Sequence, residues 1–121
     1  LVRSRGLGDV YKRQTENILQ ANKDLKGVFS VNDGGSMGAL AAIEASGKDV
    51  KLTSVDGAPE AIKAMQKPGS KFIATTAQYP RDQIRLAIGI ALARKWGANV
   101  PAAVPVDVKL IDAEGAKSFS W

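Results

Sequence analysis

VFSVNDGGSMGAL, Val28 to Leu40, is the stretch that decides the fold. It opens as a buried strand, passes through Asn32-Asp33 and Gly34-Gly35, and enters a small-residue helical pattern. A strand that runs straight into a helix in this way is the start of a βα unit. Polar side chains at such a junction lie where open α/β sheets take up ligands, beyond the carboxyl ends of the strands.

Working outward, Gly27–Val31 reads as the strand and Ser36–Ser46 as the helix, with Met37, Leu40, Ala41 and Ile43 in helical period and Gly47 at the stop. Gly38, Ala39, Ala42 and Ala45 are small enough to lie close on a sheet. Upstream, Thr15–Lys23 predicts a short helix with Thr15 as a possible N-cap. Downstream, Val50–Val55 is a strand, and Ala61, Ile62 and Met65 mark a helix that opens at Pro59 and ends before Pro68-Gly69. Phe72–Ala77 is a third strand, Arg81–Trp96 a long helix closed by Gly97, and Val104–Ile111 a fourth strand with Val104, Val106, Val108 and Leu110 on one face. Asp112–Trp121 is a tail with room for one helical turn. This alternation predicts an α/β fold with a partial, doubly wound, mostly parallel sheet, and right-handed crossovers that place helices on both faces. The long helix carries two apolar stripes, Ile84, Ala87, Ile88, Ala91 and Leu92 on one side and Leu86, Ile90 and Ala93 on another. Such a helix requires burial from more than one direction. Either a layer outside this chain covers it, or it lies at the centre of the domain.

The first fourteen residues, LVRSRGLGDVYKRQ, show no hydrophobic period. GLGDV follows no strand and lacks the spacing of a phosphate-binding loop. Asp9–Gln14 is what GAT GTG TAT AAG AGA CAG encodes, which resembles the mosaic end of a transposon-based sequencing adapter. The same frame read upstream, TCT CGT GGG CTC GGA, yields Ser4–Gly8. Residues 1–14 are therefore expected to be a non-native, disordered adapter-like segment, and residues 15–121 a piece of a longer protein. The other reading is a natural basic arm.

Without that segment the charge changes. Arg3, Arg5, Lys12, Arg13 and Asp9 drop out, and the net charge falls from +5 to +2. The basic balance is then no argument for nucleic acid. Residues 15–121 make one small domain at most, and the hydrophobic content of 45% is ordinary for a globular chain. No run approaches the roughly 20 apolar residues of a membrane span. The chain has no Cys and no His, which excludes thiol catalysis, Ser-His triads, zinc sites built on those ligands, and disulfides.

Asn32, Asp56 and Gln78 each follow a predicted strand, spaced 24 and 22 residues apart, one βα unit each. An open sheet brings all three to one edge. Asp accepts hydrogen bonds, while Asn and Gln both donate and accept, a set that suits a neutral, hydroxyl-rich ligand. Phosphate instead calls for glycine-cradled amides with Lys or Arg. Each residue also has a plainer reading. Asn32-Asp33 is a helix-capping sequence, Asp56-Gly57 a turn, and Gln78 a connection satisfied by backbone. Gly34-Gly35 and Gly57 would let the chain turn away from the strands.

VFSVND, GALAAIEASG, VDGAPEAIKAM, FIATTAQYP and VPVDVKLI, in that order, resemble the C-terminal lobe of type I periplasmic sugar-binding proteins of the ribose-binding group, from about Thr15 to the end. The resemblance implies two α/β lobes that close on a monosaccharide or sugar alcohol without chemistry, catalytic residue, metal or cofactor. It assigns the ligand contacts of this lobe to Asn32, Asp56 and Gln78, with Asp33, Tyr79 and Pro80 as further ligand or hinge positions. It implies that the long helix crosses to the other lobe, with Gln78-Tyr79-Pro80 as a hinge, and that the last strand returns. The N-terminal lobe, with its aromatic and Arg contacts, has no counterpart in this chain, and Lys67–Ser70 is a longer turn than usual. The implied partners are the sugar, the missing lobe and a membrane permease of an ABC-type importer, in the periplasm or lipid-anchored outside a Gram-positive cell.

The effector-binding domain of a LacI-type repressor shares this fold and is the alternative. That group usually carries Asp-Asp where this chain has Asp56-Gly57, and VPVDVKLI resembles the transport group more. A phosphoacceptor domain would need an early acidic pair that is absent, and GGSMG does not continue into Gly-Lys-Ser/Thr.

Overall fold

The computed structural model describes residues 6–120. The elements run α1 (Leu7–Ala21), β1 (Gly27–Phe29), α2 (Asp33–Ser46), β2 (Lys51–Asp56), α3 (Pro59–Met65), β3 (Phe72–Ala77), α4 (Pro80–Lys95), β4 (Lys109–Asp112) and α5 (Gly115–Ser118). They form one four-stranded sheet in the order β1-β2-β3-β4. The first three strands are parallel, and β4 returns antiparallel to β3.

The expected α/β class and mostly parallel sheet are present, but the helices do not lie on both faces. The strand order never reverses, so successive right-handed crossovers deliver α2 and α3 to one side. On that side Leu52, Phe72, Thr75, Ala77 and Ile111 are buried, with Leu40, Ile43, Ile62 and Met65 from the helices above them. The register puts Phe29, Thr53, Ala74 and Asp112 in one row and Val55, Thr76 and Leu110 in the next, all on the opposite side. No described helix covers that side, and Phe29 and Leu110 are 66% and 70% exposed.

Two expectations for the fourth strand change. In β4, Leu110 faces the bare side and Ile111 is the inward residue, so the predicted stripe Val104–Leu110 does not point into the core. The ladder begins only at Lys109. Pro105 can donate no ladder bond, and an edge strand with one neighbour has little to hold it earlier.

Helix α1 begins at Leu7, so the described part of the adapter-like segment, residues 6–14, is not disordered but largely helical. Thr15 is not a cap; it is buried in mid-helix, with Leu19 one turn further on. Gly8, Tyr11, Thr15 and Leu19 share the face that meets α2. That contact is closed by glycine: a Cβ on Gly38 would lie 1.9 Å from the Gly8 carbonyl oxygen, and one on Gly35 would lie 2.6 Å from the Tyr11 ring. Leu7, Val10, Tyr11 and Ile18 do recur at helical spacing, a period the sequence reading passed over because it set residues 1–14 aside as adapter-like. Gly34-Gly35 are not a turn but the first turn of α2 itself.

Helix α4 has no buried residue, and Ile84, Ile88, Leu92 and Trp96 are exposed. Of the two readings of its double stripe, central burial within this domain is therefore excluded. No described helix is long and apolar enough to cross a membrane.

Candidate functional site

The carboxyl ends of β1, β2 and β3 carry the predicted polar residues. Asn32 is the N-cap of α2, with extended backbone, and its Oδ1 accepts from the Gly35 N–H at 2.7 Å. This satisfies one of the amides that a helix start leaves unpaired. The capping alternative is thus realised, but it uses only the oxygen. Asn32 Nδ2 faces the other way and donates to the Tyr11 hydroxyl at 3.2 Å.

Asp56 ends β2 with φ 128°, a region that L-residues rarely occupy. Its Oδ1 accepts from Gln78 Nε2 at 3.1 Å, and its Oδ2 accepts from the Asp33 N–H at 3.2 Å. Two of the roughly four lone-pair sites of the carboxylate are thereby used. Asp56 and Gln78 are directly bonded across adjacent strands, and Asn32 joins them through the backbone of its neighbour Asp33. All three side chains are half-buried, reachable from outside yet held from within.

The further positions behave differently. Asp33 is wholly buried, and its carboxylate accepts from the Ala58 N–H at 2.7 Å and lies 2.9 and 3.0 Å from Thr75 Oγ1. It faces the protein interior and offers no atom to a ligand. Tyr79 is half-buried against the core with φ 50°, and Pro80 opens α4. The left-handed residue followed by proline sets the direction in which α4 leaves the body.

Beneath the edge a second polar layer is buried and satisfied. Ser36 Oγ lies 2.6 Å from Ser54 Oγ and 2.7 Å from the Asn32 carbonyl oxygen. No buried side-chain polar atom among the described residues lacks a partner. The described residues hold no cluster of acids able to bind a metal ion. A concavity of about 630 Å³ lies between α4 and Pro101–Val106 and includes none of Asn32, Asp56 and Gln78. It is lined by Leu86, Ala87, Ile90 and Val104 together with Gln83 and Arg94, a mainly apolar trough with a polar rim.

Sequence reasoning missed Tyr11, because it set residues 1–14 aside as an adapter-like segment. It also missed Thr75, whose hydroxyl is one member of an ordinary β-branched pair, Thr75-Thr76. Only the register, which places Thr75 across from Ser54, singles it out.

Residues 5–97 match the family model of the periplasmic binding protein domain. The ribose import binding protein of Salmonella typhimurium is 42% identical over 99 residues, which cover 79% of this chain and 32% of that protein. An ABC transporter periplasmic solute binding protein from Actinobacillus succinogenes, solved with bound D-allose, superposes with a TM-score of 0.83 at 32% identity, over 93% of this chain and 39% of that one. An ABC transporter solute binding protein from Agrobacterium vitis, solved with bound allitol, gives a TM-score of 0.84 at 26% identity, over 91% and 39% of the two chains. The chain thus spans about a third of the length of the curated relatives it matches.

Proposed function

The chain belongs to the periplasmic binding protein domain family, and from that premise we propose that it is the C-terminal sugar-binding lobe of the solute-binding component of an ABC-type sugar importer. The ligand is a monosaccharide or sugar alcohol, gripped between this lobe and a second one that the chain does not contain. Asn32, Asp56 and Gln78 are the contacts this lobe supplies. The relatives described above are import and solute-binding proteins, which favours this reading over a repressor domain.

The observation that carries the proposal is the bonded pair Asp56–Gln78, with Asn32 beside it, at the carboxyl edge of a parallel sheet. A carboxylate with unused lone pairs accepts from sugar hydroxyls, and the amides both donate and accept. Binding of this kind needs no chemistry, only closure, and occupancy shifts the population toward the closed form. Gln78, Tyr79 and Pro80 sit where α4 leaves the body and would act as the hinge. The partner that reads the closed form is a membrane permease, and the setting is periplasmic or lipid-anchored outside the cell.

The test is calorimetry on the full-length protein that carries this chain. Asn32→Ala, Asp56→Ala and Gln78→Ala are each expected to weaken sugar binding by about 1–3 kcal/mol, because each leaves a hydroxyl or its partner unpaired. Wild-type affinity in all three variants would refute the assignment.

A further inference from the structure

Asp33 stands one residue from the proposed contact Asn32, is fully buried, and reaches no ligand surface. Among the described residues no Lys or Arg pairs with it. A buried carboxylate without a cation is expensive unless strong donors surround it. The donors it has are informative. Its Oδ2 takes the Ala58 N–H at 2.7 Å, and both its oxygens lie within 3.0 Å of Thr75 Oγ1. Thr75 Oγ1 in turn accepts the Gly57 N–H at 3.2 Å. One carboxylate and one hydroxyl therefore take both amides that follow Asp56. The amide of Asp33 itself donates to Asp56 Oδ2.

Asp56 needs such a clamp. At φ 128° it is one of two described non-glycine residues with positive φ, and such strain persists only where the surroundings over-determine it. We infer that Asp33, with Thr75, is a positioning pair that holds Asp56 in its strained conformation and so aims its carboxylate at the ligand without touching the ligand. This rests on the reading of Asp56 as a sugar contact. The arrangement links α2, the β2–α3 connection and β3 through one buried group, so a change at Asp33 reaches the site by way of the Gly57-Ala58 backbone.

The experiment compares Asp33→Asn, Thr75→Val, Thr75→Ser and Asp56→Ala in the full-length protein. D-ribose, D-allose and myo-inositol are the calorimetric probes, at a temperature where circular dichroism shows each variant folded. Asp33→Asn and Thr75→Val are expected to lower affinity for the tightest probe by roughly ten- to a hundredfold, the loss of one charge-assisted bond. Thr75→Ser keeps the hydroxyl and is expected to stay within about threefold of wild type. If Asp33→Asn does not fold, the contrast of Thr75→Val with Thr75→Ser carries the test. A purely structural role would lower the melting temperature of Thr75→Val and leave the affinity of its folded form unchanged, which overturns the inference. Should Asp56→Ala also bind normally, or no probe bind the wild type, the sugar-site reading itself falls.

Discussion

Replacing Asp56 by asparagine separates what its carboxylate does for the fold from what it does for a ligand. The side chain makes two internal bonds, from the Asp33 N–H at 3.2 Å and from Gln78 Nε2 at 3.1 Å. Asparagine preserves both. Its oxygen can face the Asp33 amide, and its NH2 can face Gln78 once that amide turns to present Oε1. Asparagine also tolerates positive φ better than most residues. The folded state should therefore change by less than about 1 kcal/mol. A sugar hydroxyl that donates to the site loses more, since a bond to a charged acceptor contributes about 1.5–3 kcal/mol and a neutral one about 0.5–1.5. The difference, about 1–1.5 kcal/mol, is a five- to thirteenfold loss of affinity. Asp56→Ala removes the bond altogether and should lose more than Asp56→Asn. Urea denaturation and calorimetry on the same preparations measure the two quantities. A variant Asp56→Asn that is strongly destabilised yet binds sugar normally would refute the reasoning, because it would place the charge in the service of the fold alone.

Gly38→Ala should destabilise by about 1–3 kcal/mol, because its Cβ meets the Gly8 backbone at 1.9 Å, whereas Gly89→Ala meets nothing within 4 Å and should stabilise α4 by up to about 1 kcal/mol; urea midpoints of the two report the contrast. The hydrogen bond from Lys71, then that from Lys51, hold the Asp49 carboxyl at about 2, below its ordinary 3.8. A lowered pKa adds stability above 3.8 that is lost as pH falls toward about 2, so an NMR titration of Asp49 should show the low midpoint, and Lys71→Met should raise it. The 121-residue chain alone should self-associate through exposed Ile84, Ile88 and Leu92, and sedimentation should shift toward monomer in Ile88→Glu. A strictly monomeric wild type would show that α4 does not need a cover.

The strands of this fold were legible where burial is one-sided and continuous. Phe72–Ala77 agrees with its predicted span at both ends, and Val50–Val55 is displaced by one residue. The error at β4 is informative because the alternation Val104, Val106, Val108, Leu110 is real. Alternation reports that two faces differ, not which face the core occupies, and here the helices lie under Ile111. The one-sided placement of α2 and α3 was not readable from element order, since it depends on whether the strand order reverses. The three strand-end residues were legible because β1, β2 and β3 are parallel and each βα unit repeats the same geometry. Thr75 and the Asp33 carboxylate were not, because their significance lies in partners 18 to 42 residues away.

At the polar edge the internal bonds of these residues leave room for the ligand contacts proposed above. Asn32 caps α2 with its oxygen and donates its NH2 to the Tyr11 hydroxyl. Asp56 gives one lone pair of each oxygen to the protein and keeps the rest. A binding lobe gains from this economy, since a side chain already fixed by an internal bond loses little further freedom when a ligand arrives. Alanine substitutions at such residues therefore remove cap and contact together, and an affinity loss alone does not say which mattered. Asparagine for Asp56, or serine for Thr75, leaves the internal bonds in place, and only variants of that kind apportion the effect. The same logic bears on Tyr11. Its hydroxyl accepts from Asn32 Nδ2, so Tyr11→Phe should free that donor while the ring still packs on Gly35. Binding that improves in Tyr11→Phe would show that α1 competes with the ligand for Asn32; binding that worsens would place the hydroxyl among the contacts themselves.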